Sequence, residues 1–280
     1  MFKNLFYNTF TLFILLYSSA DVFGIENGTT AVSDTFYAYK TSTTPTIDGM
    51  ALEACWENAA WYPMSNVWLP YNDQVDSTDF YGRFKLAWDE NRLYLLVEVT
   101  DDSLYDGHTD PLQNYWDDDC VELFLDEDQS GGNHQYNFNA FAYHVGIAFD
   151  VVDYATSGPA TFNDHIQAAR VKQGDKYTWE LSVKVFDDSY EFEGENTPVE
   201  LAHNKKMGFS LAYCDNDGSN SRENFIGSKY LPQSKSNNSY IDASIFGKLI
   251  LKDTSVPSSQ KTYDQLRNKV IMYPNPVSNN

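Results

Sequence analysis

The sequence predicts an all-β protein, an antiparallel β-sandwich of the jelly-roll-like kind with few short helices. Three observations predict it. Apolar residues alternate with polar ones in short runs, the period-two pattern of a strand with one buried face. Loops rich in Asp, Gly, Asn and Ser separate these runs, and no stretch carries the longer period of an amphipathic crossover helix. Aromatic residues make up 16% of the 280 residues, which suits pleated, half-buried surfaces and offers flat faces to a ligand.

Residues 1–24 read as an export signal. Lys3 supplies the positive start, Phe10 to Tyr17 a short apolar run, and Ala20 or Gly24 a small residue for cleavage. The run is too short for a comfortable membrane span, and no later segment is apolar enough for one. The protein is therefore expected outside the cell, secreted or on the outer surface. One domain is expected over 35–253. Thr46-Ile47-Asp48-Gly49 is turn chemistry, and Ala51 to Ala59 carries the one short helix. Phe80, Phe84, Leu86 and Trp88, then Leu93, Leu95, Val97 and Val99, form a hairpin around Asp89-Glu90-Asn91. Further strands are expected at 120–125, 135–149, 166–171, 177–185, 207–214 and 246–251. Residues 254–269 form a polar linker.

Charge narrows the partners. With 19 basic and 40 acidic residues the net charge is −21, which repels phosphate backbones and argues against nucleic acid. Clustered carboxylates suit a hard cation such as calcium. Cys55, Cys120 and Cys214 are an odd set, leaving at least one free thiol, and no CxxC spacing points to zinc or redox chemistry. Cys120 and Cys214 fall in expected strands and read as small buried residues, with a disulfide between them as the alternative.

The most informative stretch runs from Tyr115 to Asp126 (YWDDDCVELFLD). If Val121, Leu123 and Leu125 face the core, alternation turns Cys120, Glu122 and Phe124 to the other face. Glu122 then projects from mid-strand near Trp116 in the preceding loop. An indole face packs on the C–H face of a pyranose ring. A carboxylate accepts from two adjacent hydroxyls, and its charge strengthens those bonds.

Trp116 to Asp126 resembles the tryptophan-to-glutamate segment of family 9 carbohydrate-binding modules. The resemblance runs from Thr44 to Leu251. It includes Thr46-Ile47-Asp48-Gly49 followed by Trp56, then Ala87-Trp88-Asp89 with Leu93-Tyr94. It also includes Asn237-Asn238-Ser239-Tyr240 ahead of Phe246-Gly247-Lys248-Leu249. It implies a β-sandwich that binds carbohydrate without catalysis, such as xylan or cellulose fragments, in support of extracellular carbohydrate catabolism. It implies that Trp116 and Tyr240 clamp a sugar ring while Glu122, Arg222 and Asn237 bind its hydroxyls. Tyr240 stands where the best-known members carry tryptophan. Asn137, a further candidate, stands where some carry arginine, and Ala212 where some carry glutamine, so the sugar's identity stays open. A lone tryptophan before a strand also suits a core, and a lone glutamate suits solvent. The joint spacing of Trp116, Glu122, Arg222 and Tyr240 favours a ligand site.

The family often carries structural calcium. Asp126, Asp128 and Ser130 place oxygens at alternate positions before Gly131-Gly132, although the closing glutamate of an EF-hand is missing. Asp101-Asp102 and Asp117-Asp118-Asp119 are the other acidic clusters, and such runs also suit solvated loops. Modules of this family occur attached to xylanases, so the implied partners beyond the saccharide are secreted glycoside hydrolases or the cell surface. Tyr273-Pro274-Asn275-Pro276-Val277, within 270–280, resembles the opening of the C-terminal sorting domain of type IX secretion in Bacteroidota, cut short at Asn280.

Three other readings compete. A glycoside hydrolase needs two carboxylates facing each other across a cleft. A haem site needs a pair such as Met64 or Met207 with His108 or His144. An adhesion module needs only the fold.

Overall fold

Alternation becomes strands much where the sequence places them. The computed structural model describes residues 34–253. The export signal, the linker and the sorting segment read at 1–24, 254–269 and 270–280 lie outside them. Fourteen strands follow in chain order: β1 (Thr35–Lys40), β2 (Tyr62–Met64), β3 (Asn66–Leu69), β4 (Phe80–Trp88), β5 (Leu93–Asp101), β6 (Cys120–Asp126) and β7 (Phe141–Gly146). After them come β8 (Val151–Tyr154), β9 (Pro159–Thr161), β10 (Ile166–Gln173), β11 (Lys176–Val183), β12 (Lys206–Asp215), β13 (Asn224–Gly227) and β14 (Gly247–Lys252). The expected helix is present as α1 (Ala54–Asn58). No helix among the described residues is long and apolar enough to cross a membrane.

The main sheet runs β10-β11-β5-β4-β1-β14-β12-β6-β7-β8-β9, with β2, β13 and β3 attached beside it. Phe84 on β4 meets Phe209 on β12 at 5.8 Å, and Phe80 meets Tyr213 at 5.3 Å. Two strands separate β4 from β12 along the sheet, so these contacts cross its interior, and the sheet folds back on itself as the two layers of a sandwich. One departure from the expected antiparallel pattern is β1, which runs parallel to both β4 and β14. It joins the two ends of the domain, with Phe36 opposite Leu249. A second departure lies in the run expected at 135–149. Only Phe141–Gly146 is strand, because Tyr136 has φ +62°, outside the extended region.

The strands that carry the site are buried on both faces. Val121, Leu123 and Leu125 of β6 enter the main core, while Cys120 and Phe124 join a second cluster with Trp68, Cys214, Phe225 and Phe246. Gly227 is required there, since a Cβ at that position would lie 2.1 Å from the Trp68 indole. Met64 and Met207 lie in the main core, while His144 contacts the Glu122 carboxylate and His108 the Asp118 carboxylate.

On the outer face of β11, buried Glu180 explains the opening motif. Its carboxylate accepts from the backbone N–H of Asp48 (3.1 Å) and Gly49 (2.8 Å) and from the Trp56 indole (2.8 Å). Gly49 has φ +79°, and a Cβ there would sit 2.9 Å from the Val171 nitrogen. Glu180→Ala leaves these donors without a partner. We expect it to cost about 3 kcal/mol in urea unfolding, since each orphaned buried donor costs ~1–3 kcal/mol. A loss below ~1 kcal/mol would show that water replaces the carboxylate.

Candidate functional site

A pocket of about 300 Å³ opens on the outer face of β6 and β7, with residues of β8 and β13 beside them, at the small end of the ~300–1,000 Å³ range of ligand sites. Trp116, Glu122, Arg222, Asn237 and Tyr240 all line it. Alternation along β6 carries Glu122 to this face, as the sequence predicts. Glu122 does not meet bulk solvent: it is 2% exposed.

Its environment explains how a buried carboxylate is held. The Cys214 thiol donates to Oε1 at 3.0 Å, Arg222 Nη1 lies 3.2 Å from the same oxygen, and His144 Nε2 lies 2.7 Å from it. Glu122 only accepts, so His144 Nε2 is the donor of that contact. Burial opposes ionisation of Glu122, but the charge and hydrogen bond of His144, and Arg222 beside it, hold its carboxyl below the ordinary 4.5. All three donors converge on Oε1. No hydrogen bond from a described residue reaches its second oxygen, which leaves an acceptor on a residue that lines the pocket.

Aromatic rings wall the pocket. Trp116 is half-buried, its ring edge-on to Tyr115 at 5.0 Å, and Tyr115 in turn packs edge-on to His144 at 4.7 Å. Tyr240 is 42% exposed. It follows Ser239, whose carbonyl accepts from His134 Nε2 at 2.9 Å; burial lowers the His134 pKa and keeps that imidazole neutral. Arg222 lies over the Phe225 ring at 4.1 Å, and its Nη2 donates to Asn237 Oδ1 at 3.1 Å. That contact leaves the Asn237 amide nitrogen for a ligand.

Sequence reasoning misses four residues here: His144 and Cys214, which orient Glu122, and Asp153 and Tyr154, which add to the wall. Pairing between distant strands assembles them: β7 sets His144 opposite Glu122 of β6, β12 brings Cys214 from the other side, and β8, paired to β7, carries Asp153 and Tyr154. Asn137 is placed elsewhere: it is not a lining residue, and its amide donates to the carbonyls of Asn133 and Gln135, both at 3.3 Å. Cys120 and Cys214 face each other across β6 and β12 as free thiols.

The acidic clusters sort into two kinds. In the loop after β6, Asp126 Oδ2 accepts from the Gly131 nitrogen (2.8 Å), Asp128 accepts from the Ser130 nitrogen (2.9 Å), and Ser130 Oγ donates to Asn139 (3.4 Å). These groups close the loop largely on itself, although Asp126 Oδ1 is buried and unpartnered. Asp101, Asp119 and Asp215 form the stronger set. They come from three strand ends, all are buried, and one oxygen of each lies within 4.8 Å of the others. Burial and mutual repulsion push Asp119 up to about 9, with burial foremost raising Asp215 to about 7 and Asp101 to about 6. Asp215 Oδ1 is buried with no partner. Three buried oxygens and an orphaned acceptor fit a hard cation such as calcium.

Residues 47–254 match the family described as carbohydrate family 9 binding domain-like. The chain belongs to that family. Among curated relatives of the family 9 domain are Exoglucanase XynX of Acetivibrio thermocellus and Endo-1,4-beta-xylanase A of Thermotoga neapolitana. The first is 25% identical over 226 residues, 80% of this chain and 18% of the relative. The second is 27% identical over 172 residues, 61% of this chain and 14% of the relative. The family 9 domain thus spans less than a fifth of either relative. Solved structures of a family 9 carbohydrate-binding module from Caldicellulosiruptor kristjanssonii, one with glucose and one with cellotriose, share the fold. Each has a TM-score of 0.59 at 22% identity, covering 80% of this chain and 98% of the other.

Proposed function

We propose that the domain binds neutral plant-type saccharides such as cellulose or xylan fragments without cleaving them. The observation that carries this reading is the Glu122 carboxylate, fixed by His144, Arg222 and Cys214 through one oxygen, with the other left as an acceptor on a residue that lines the pocket. Trp116 and Tyr240 flank the ring, Glu122 accepts from its hydroxyls, and the Asn237 amide donates to one. Water competes for every hydroxyl, so each neutral bond adds only ~1 kcal/mol, and stacking dominates affinity. Family membership and the sugar-bound neighbours support this reading.

Asp153 bears on the hydrolase alternative, because it shares the pocket with Glu122 and burial raises it to about 6. A general acid must turn toward the scissile oxygen. Asp153 Oδ2 instead accepts from the Ala142 nitrogen and Oδ1 from the Tyr154 nitrogen, at 2.8 and 2.7 Å, which ties it to the strands. Titration calorimetry against glucose, cellotriose and xylotriose tests the proposal. Saturable heat with intact sugars recovered supports it; shortened sugars would replace it with hydrolysis.

Calcium is the proposed structural cation, held by Asp101, Asp119 and Asp215, with Asp126 and Asp128 as a second, weaker pair. Bound there it offsets the repulsion of the buried carboxylates and pins the loop that carries Trp116. Removing it with a chelator is expected to lower Tm by roughly 5–10 °C, the size expected when a cation near a hundredfold above its Kd is lost. Equal melting in calcium and in chelator would contradict the site.

A further inference from the structure

We propose a second saccharide subsite outside the pocket, on the exposed ring of Tyr136 beside Tyr154, which takes the next ring of a neutral β-linked oligosaccharide. It rests on the pocket being a sugar site. Tyr154, at the end of β8, is a wall of the pocket. Tyr136 stands beside it, rings edge-to-face with centroids 5.5 Å apart, and is 50% exposed. The two rings therefore continue the aromatic wall from the pocket onto the surface.

The turn that carries Tyr136 is built to present it. Its φ of +62° is one that bulky side chains rarely adopt, and a mere connector would hold Asn or Gly there. Gln135, just before it, lines the pocket. Asn137, just after it, donates to the carbonyls of Asn133 and Gln135 and so closes the turn beneath Tyr136. Its role is to hold the second platform. An open ring face suits the C–H face of a pyranose. Arg222 and His144 counter Glu122 in the adjoining pocket, while the net charge of −21 disfavours uronic acids, so neutral sugars are the expected ligands.

The test is calorimetry of the protein with glucose and with cellotriose, comparing wild type, Tyr136→Asn and Tyr136→Phe. Asn tolerates the left-handed region, so the turn is kept while the ring is lost. Tyr136→Asn is expected to weaken cellotriose roughly tenfold and leave glucose unchanged, while Tyr136→Phe retains both. Wild type that binds cellotriose no better than glucose, or Tyr136→Asn that leaves cellotriose unchanged or weakens both sugars alike, overturns the subsite alone. Wild type that binds neither sugar overturns the pocket and the subsite with it.

Discussion

Glu122→Gln should weaken saccharide binding by about ten- to a hundredfold, the loss of ~1.5–3 kcal/mol that accompanies a charged acceptor. Glutamine keeps the length of the side chain and one acceptor oxygen, so the pocket keeps its shape. It loses the charge that Arg222 and His144 face at 3.2 and 2.7 Å in a buried setting. Breaking such a pair from one side also costs ~3 kcal/mol of stability, readable as a lower urea midpoint at unchanged slope. The same pairing fixes an acid response. Because the folded state holds the Glu122 carboxyl below its ordinary 4.5, its contribution is fully present above that value and is lost as pH falls through the depressed one. Glu122→Gln should remove this part of acid sensitivity. Unchanged affinity in the variant would show that the free oxygen touches no ligand.

Trp116→Ala should abolish measurable binding, a loss of about 2 kcal/mol or more, while the protein stays folded. Trp116 packs edge-on against Tyr115 but is only half-buried, unlike Trp68, Trp88 and Trp179, which are fully enclosed. Its removal uncovers part of Tyr115 and leaves both cores filled. A fall in Tm of a few degrees is expected. Melting more than ~10 °C below wild type would mark Trp116 as a core residue.

What the sequence carries well is what is local. Alternation in Cys120–Asp126 places Glu122 opposite Val121 and Leu123, and the turn chemistry of Asp89-Glu90-Asn91 sets the hairpin in register, Leu86 opposite Leu95. What it does not carry depends on pairing between distant strands. His144 reaches Glu122 because β7 pairs with β6, and Cys214 reaches it because β12 pairs on the other side. Asp101, Asp119 and Asp215 look like three unrelated loop acids until three strand ends converge. The parallel placement of β1 rests on contacts such as Phe36 with Leu249, which no local pattern encodes. Asn137 shows the opposite failure. Its position in the motif points to the ligand, while the positive φ of Tyr136 turns the local chain so that its amide serves the backbone.

The most direct test of the central claim is a ¹⁵N–¹H spectrum of the tryptophan indoles during titration with cellotriose. Trp116 is the pocket indole, while Trp88 and Trp179 are fixed in the main core. A saturable shift of the Trp116 indole resonance, with those of Trp88 and Trp179 unmoved, is the predicted result. Saturable binding that leaves the Trp116 indole unmoved would place the saccharide elsewhere and contradict the site.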